Sequence, residues 1–414
     1  MRVVPFFSRK TMEEIRNAIL LGVSDRPDAE ASMAELEQLS ETAGLTVKGI
    51  LLQKREHPDP ATYIGAGKSE EMKEFIENHE IQIAVANAEL TAGQIRNLED
   101  RLDVAVIDRT MLILDIFAGR ARSSEGRLQV ELAQLKYRLP RLAGLGESLS
   151  RLGGGIGTRG PGETKLETDR RHIRRRIKAL EAALDEVKLH RQTTRRGRLK
   201  GGKNTAALVG YTNAGKSTLL NRLCGSDVYA ENQLFATLDP TVRRVEGIQG
   251  TEILLSDTVG FLRDLPHTLI DAFRSTLEES LSADLLLLVV DAADPEAEAR
   301  FGVVRELLHD LEADQKPIFL ILNKIDAATD DLAPFYAEAS RDRMKVFPLS
   351  AHTGEGCDRL REALLCHFAG ESEETVVIPY GDGAALAALY RDRVILKREE
   401  TEDGIRITYR THNP

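Results

Sequence analysis

Hydrophobic positions along the chain fall into two rhythms, and each predicts a different kind of layer. Up to about residue 120, short apolar runs at Leu45 to Gln53, Ile81 to Ala86 and Val104 to Asp108 alternate with helical stretches such as Lys68 to Asn78. That alternation predicts a small α/β domain over residues 1–120 with a parallel sheet. Inside it, Ile64-Gly65-Ala66-Gly67-Lys68 has the flavour of a phosphate loop but not its full spacing, so a glycine turn before a helix is the better reading.

The second rhythm is helical. Leu128, Leu132, Leu135, Leu139 and Leu142 recur at spacings of 4, 3, 4 and 3, and Ile173, Ile177, Leu180, Leu184 and Val187 repeat them. Each set lies on one narrow stripe of a helix, so residues 121–202 are expected to form an antiparallel hairpin with the two stripes facing each other. Gly144 to Gly162, with eight glycines in 19 residues and with Arg151 and Arg159, is the expected tip, and Arg191 to Lys203 a basic linker. From residue 203 to 370 strands are predicted at Ala206 to Gly210, Thr251 to Asp257, Asp284 to Asp291, Pro317 to Asn323 and Val346 to Leu349, the alternation of a doubly wound sheet. Residues 371–414 hold Val376 to Pro379, a short helical run from Ala384 to Tyr390, and a hairpin of Val394 to Glu399 with Ile405 to Tyr409 about the turn Glu402-Asp403-Gly404.

Composition adds one correction to this picture. The 414 residues are 42% apolar and 29% charged, as in an ordinary globular protein, and the net charge of -10 speaks superficially against nucleic acid. Yet Lys136 to Lys203 carries 19 basic and 7 acidic side chains, a net of +12, which leaves -22 for the rest. One basic segment sits inside an acidic protein. Three cysteines, Cys224, Cys357 and Cys366, are too few for a disulfide framework and fit a reducing interior. No run approaches the roughly 20 apolar residues of a membrane span, and Arg9, Lys10, Glu13 and Glu14 interrupt any signal-peptide core, so the cytoplasm is expected.

The chemistry is concentrated after residue 203. Gly210-Tyr211-Thr212-Asn213-Ala214-Gly215-Lys216-Ser217 matches a complete phosphate loop between an apolar strand and a helix. Backbone amides of such a loop wrap phosphates, Lys216 reaches the β and γ phosphates, and Ser217 takes a magnesium position. Asp257-Thr258-Val259-Gly260 ends a strand, where the acid can hold magnesium through water and Gly260 can offer its amide to the γ phosphate. Asn323-Lys324-Ile325-Asp326 follows another strand. The Asp326 carboxylate can accept from the N1 and N2 donors of guanine, a pair adenine lacks, so GTP is the expected nucleotide. Ser350-Ala351-His352 is expected to bring backbone amides to the guanine carbonyl.

Together these motifs resemble the translation-factor-related class of GTPases over roughly residues 203–370. The resemblance implies a first-switch threonine that coordinates magnesium when the γ phosphate is present: Thr237 in Phe235-Ala236-Thr237-Leu238-Asp239 is favoured, with Thr241 the alternative. Phe261 stands where Ras-like enzymes carry a water-orienting glutamine, and it cannot orient water by a hydrogen bond. Either it packs in the switch, or catalysis is completed by a macromolecule or a cation. Asn213 resembles the phosphate-loop asparagine through which some GTPases hold potassium, and bracing the first switch is its other reading.

The chain as a whole resembles the HflX family of ribosome-associated GTPases. The resemblance is carried by the stretch from Gly153 to Arg171, by Gln233 to Thr241 and by Asp257 to Pro266. It implies an α/β fold in which a P-loop GTPase domain follows an N-terminal α/β domain and an antiparallel helical hairpin, with a small C-terminal α+β segment. It also implies binding to the large ribosomal subunit and its RNA with GTP and Mg2+, and splitting of stalled or idle ribosomes; no membrane or DNA partner is expected. Candidate RNA contacts are Arg151, Arg159, Arg170, Arg171, Arg174, Arg175 and Arg176. The last five crowd the start of a helix, where like charges repel and the dipole is unfavourable, and phosphates would relieve both. A solvated coiled-coil face is the plainer alternative. A large-subunit assembly GTPase, or an RNA-binding module whose nucleotide only stabilises the fold, would share these motifs.

Overall fold

Four parallel strands, β1 (Asn17–Val23), β2 (Thr46–Gln53), β3 (Ile83–Ala86) and β4 (Ala105–Asp108), form the first sheet in the order β2-β1-β3-β4. In this computed structural model the described residues are 16–151, 161–200, 204–225, 234–235, 241–246, 252–258, 260–263, 269, 283–368, 371–380, 385–386, 389, 394–401 and 403–412. The central strand β1 has no counterpart among the predicted strands. Its interior from Ala18 to Gly22 is buried, and a short continuous apolar run cannot be told from a buried helical turn by periodicity. Four helices cover the sheet: α1 (Ala29–Thr42), α2 (Ala66–Asn78), α3 (Ala92–Leu102) and α4 (Arg109–Arg120). Gly65, in extended conformation, is the N-cap of α2, as the glycine-turn reading requires.

Two long helices follow, α5 (Ser124–Arg151) and α6 (Pro161–Lys200). Because α6 begins within ten residues of the end of α5 and packs along it, it runs back beside α5. Leu132 and Leu180 are buried and Leu128, Leu135, Leu139, Ile173, Ile177, Leu184 and Val187 half-buried, while the side chain of Leu142 lies outside the described residues. The opposite face of α5 carries Val130, Ala133 and Tyr137, which join the core of the first layer. Thus α5 is apolar on two sides and is sandwiched between the sheet domain and α6.

Both helices are longer than predicted. Gly144 and Gly146 continue α5, and Pro161 opens α6, where the missing amide of proline costs no intrahelical bond. Gly153 to Gly155 and Arg159 lie outside the described residues, as does the side chain of Arg151. The expected linker from Arg191 is helical to Lys200; it holds no proline, and its arginines and lysines are good helix formers.

The second sheet has the order β10-β9-β8-β5-β7-β6. Its strands are β5 (Asn204–Gly210), β6 (Thr241–Glu246), β7 (Glu252–Asp257), β8 (Leu285–Asp291), β9 (Ile318–Asn323) and β10 (Lys345–Pro348). All pairings are parallel except β6 with β7. Helices α7 (Lys216–Cys224), α8 (Ala297–Asp310), α9 (Ala333–Arg341) and α10 (Cys357–Phe368) accompany it. The antiparallel edge strand β6 was not predicted; its Arg243 and Arg244 interrupt the apolar pattern and are exposed. β5 lies between β7 and β8, so its carboxyl end stands at the point where the chain order reverses, the crevice where such sheets take ligands.

The last sheet is antiparallel, with β11 (Glu371–Ile378), β12 (Val394–Thr401) and β13 (Gly404–His412) in the order β11-β13-β12. Ile378, Ile405 and Ile407 form its small core against Ala385, Leu386 and Leu389. No helix of the described residues is long and apolar enough to cross a membrane.

Candidate nucleotide site

The site begins where β5 runs out at Gly210. That residue has φ +152, and a Cβ there would stand 2.2 Å from the Val289 carbonyl oxygen, so β5 can turn away against β8 only without a side chain. Asn213 and Gly215 have φ +61 and +90, and the loop enters α7 with no side-chain cap. Open amides at a helix N-terminus suit phosphate. Lys216 is buried and donates to the carbonyls of Gly210 at 3.1 Å and Tyr211 at 2.8 Å. Burial pulls its ammonium down to about 8, with Asp257 opposing the shift. Asn213 itself is exposed.

Asp257 ends β7 beside this loop and accepts from the Ser217 hydroxyl at 2.6 Å. Two hard oxygen donors at the mouth of a phosphate cradle fit a magnesium ion. Thr258 donates through its hydroxyl to the Leu208 carbonyl at 2.8 Å, which fixes the end of β7 to β5. Gly260 approaches the loop closely: a Cβ there would lie 2.7 Å from Thr212 Cα and 3.1 Å from Lys216 Nζ. Next to it the Thr212 amide donates to the Phe261 carbonyl at 2.7 Å, and the Phe261 amide to the Gly210 carbonyl at 3.2 Å. Phe261 is buried, so its ring packs in the core rather than over the loop. Thr241 opens β6, while Ala236, Thr237, Leu238, Asp239 and Val259 lie outside the described residues.

The Asn-Lys-x-Asp side of the site is assembled by Asn323. Its amide donates to the Ala214 carbonyl at 2.8 Å, and its oxygen accepts from the Ala351 amide at 2.9 Å, tying the phosphate loop to the 350–352 loop. The Ala351 amide is therefore already engaged, and the Ser350 amide donates to the Glu355 carbonyl at 2.9 Å. His352 offers its amide with no partner among the described residues. Ile325 is half-buried beside this loop, its amide directed at the Leu349 carbonyl. Asp326 is exposed, and a hydrogen bond from Ser350 holds its carboxyl below the ordinary carboxylate value. Lys324, at φ +65, donates to Asp291 at 2.5 Å. Asp291 carried no signal in the sequence beyond ending an apolar strand.

The largest surprise is what the first layer contributes. Tyr211 is buried, donates to Glu35 of α1, and accepts from the Arg263 amide at 2.7 Å. Burial raises its phenol above the ordinary value, and the Glu35 carboxylate adds to the rise. Glu35 also pairs with Arg109, whose guanidinium reaches the Arg263 carbonyl at 3.1 Å and Asn87 at 2.8 Å. Phe235 meets Phe117 of α4 edge-on, with centroids 4.6 Å apart. The phosphate loop and the segments at Phe235 and Arg263 are thus held against the first layer. On the hairpin, Arg171, Arg174 and Arg175 are exposed and Arg170 is half-buried, whereas Arg176 forks onto the Glu131 carboxylate at 2.6 and 2.7 Å.

A doubly wound sheet with a complete phosphate loop, a strand-end aspartate joined to its serine and an Asn-Lys-x-Asp segment defines a P-loop GTPase. Residues 205–324 match the family model described as "50S ribosome-binding GTPase", residues 30–118 "GTP-binding GTPase N-terminal" and residues 120–198 "GTP-binding GTPase Middle Region". GTPase HflX of Caldanaerobacter subterraneus subsp. tengcongensis is 50% identical over 401 residues, covering 96% of this chain and 92% of the relative. GTPase HflX of Escherichia coli K12 is 43% identical over 373 residues, with 90% and 87% covered. The solved structure of SsGBP with GDP is similar at TM-score 0.51 and 28% identity, covering 84% of this chain and 97% of that one. The chain belongs to the HflX family of GTPases.

Proposed function

We propose that this GTPase binds the large ribosomal subunit in its GTP state and separates stalled or idle ribosomes, with hydrolysis releasing it. The observation that supports this most is the packing of Tyr211, Phe235 and Arg263 on the first layer through Glu35, Phe117 and Arg109. A change at either switch must then be felt by the layer that carries the hairpin.

Within that scheme Lys216 and the amides from Asn213 onward hold the phosphates, Gly260 meets the γ phosphate, and Asp326 with the 350–352 loop reads guanine. Ser217, Thr237 and Asp257 would hold a magnesium ion, which would supply neutralising charge to the phosphates. Asn213 is exposed, and a potassium ion held there would supply positive charge beside the phosphates, a route to catalysis that does not need the water-orienting group missing at Phe261. Arg171, Arg174 and Arg175 are the hairpin's RNA contacts, joined by Arg151, Arg159 and Arg170. The cytoplasm is where such a partner is met.

The test is sedimentation of purified mature ribosomes with the full chain and a non-hydrolysable GTP analogue. Conversion of whole ribosomes to subunits is expected with the analogue and not with GDP. Binding only to large-subunit precursors would point to assembly instead, and equal splitting with GDP would end the clamp scheme.

A further inference from the structure

Arg222 carries no motif signal, yet it reaches across to the loop that faces the base. It stands on the last turn of α7, the helix that opens with Lys216, and donates through Nε to the Ala351 carbonyl at 3.2 Å and through Nη2 to the His352 carbonyl at 2.5 Å. Its guanidinium also lies 3.4 Å from where a Cβ on Gly354 would be, and Gly354 has φ +94.

Two neighbouring carbonyls held by one planar fork fix the peptide planes of Ala351 and His352. From the other side Asn323 holds the Ala351 amide, and the Gly354 amide closes the turn on the Ser350 carbonyl at 2.8 Å. The free amide of His352 and the Ser350 partner of Asp326 therefore have one orientation. Without Arg222 the two carbonyls turn to water, and only Asn323 and the turn's own bonds remain.

We propose that Arg222 is a positioning residue for base selection, setting the 350–352 loop so that its amide meets the 6-carbonyl of guanine. The proposal rests on the reading of this loop as the guanine side of the site. Adenine presents an amino donor at that edge, so an amide fixed in place is repelled by it, whereas a loose loop can turn the amide away.

The experiment compares the full chain with Arg222→Ala and Arg222→Lys, well below the melting temperature of each. It measures GDP affinity, competition by ATP, and KM and kcat for GTP. Arg222→Ala is expected to weaken GDP binding about tenfold, the loss of a charge-assisted hydrogen bond, and to raise KM with kcat within about twofold. The preference for GTP over ATP should narrow by a similar factor, and Arg222→Lys, which can serve one carbonyl but not both, should fall between. A lower melting temperature with unchanged affinity and unchanged preference would make Arg222 a merely structural tie and overturn the proposal. If the unaltered chain itself fails to prefer GTP over ATP, the guanine reading of the loop fails first.

Discussion

The hydroxyl of Tyr211, one residue into the phosphate loop, donates to the carboxylate of Glu35 on α1, 176 residues earlier in the chain. The same hydroxyl accepts from the Arg263 amide, so a single oxygen joins the first layer, the phosphate loop and the segment after Gly260. Removing it leaves a buried amide and a buried carboxylate each short of a partner. Tyr211→Phe should cost about 1–3 kcal/mol. Glu35→Ala should cost more, about 3–5 kcal/mol, because it strands the guanidinium of Arg109, which is 3% exposed. Unfolding of the full chain in urea checks both values, and a double-mutant cycle should show that the two losses do not add.

Lys216 makes nucleotide binding depend on pH. Its folded value is near 8 against an ordinary 10.5, because burial disfavours the charge. The unfolded chain binds the extra proton throughout that interval, so this group makes stability rise with pH between them, and its penalty stands in full below 8. Phosphates favour the charged form. GTP added at pH 8 should therefore be bound with uptake of up to about half a proton, read by calorimetry in two buffers of different ionisation enthalpy. Lys216→Met should abolish the uptake; persistence of the full uptake in that variant would assign it to another group.

What could be read from the chain beforehand follows from how locally each feature is encoded. The phosphate loop writes its own geometry within eight residues, through Gly210, Asn213 and Gly215 at positive φ, and its flanking strand and helix are contiguous with it. The leucine and isoleucine stripes likewise reported the seam between α5 and α6. They were silent on the second face of α5, since Val130 and Ala133 are bracketed by Gln129 and Gln134, which are themselves buried with them and with Tyr137. Glu35, Arg109 and Asp291 could not be singled out, because a charged residue in a sequence gives no sign of which partner, many residues away, it will meet. Asp326 shows the converse: its place in the motif was legible, its exposure was not.

Asn213 offers a test of whether a cation completes catalysis where Phe261 cannot orient water. If potassium sits beside the phosphates, turnover of GTP should be faster in potassium than in sodium, and Asn213→Ala should remove the difference without weakening GDP binding more than about twofold. Equal rates in both salts would leave Asn213 as a brace for the first switch.

The hairpin arginines divide by partner. Arg176 is held by Glu131, with side chains 34% and 23% exposed, so Arg176→Gln should cost at most about 1 kcal/mol and act on the hairpin itself. Arg174 and Arg175 are exposed, and neutralising both should leave folding unchanged. If they meet RNA, ribosome binding should weaken and the slope of log affinity against log salt should shrink by ~0.7 per contact. An unchanged slope would return them to a solvated face.

Phe117 and Phe235 extend the same coupling to the segment proposed as the first switch. Their rings meet edge-on at 4.6 Å and 77°, Phe235 is 2% exposed, and the Phe235 amide donates to the Thr212 hydroxyl at 3.2 Å. Phe235, in the segment proposed as the first switch, is thus pinned on one side by the phosphate loop and on the other by α4. Phe117→Leu keeps an apolar side chain in place but loses the aromatic pair, worth about 0.5–1.5 kcal/mol beyond area burial. Hydrogen exchange along Arg109–Arg120 should differ between the GDP form and the form with a non-hydrolysable GTP analogue, since ordering the switch changes what Phe235 presents to that helix. In Phe117→Leu the difference should shrink while nucleotide affinity holds. A difference of full size in that variant would place the coupling on the contacts of Tyr211 and Arg263 with Glu35 and Arg109, and Tyr211→Phe should then reduce it.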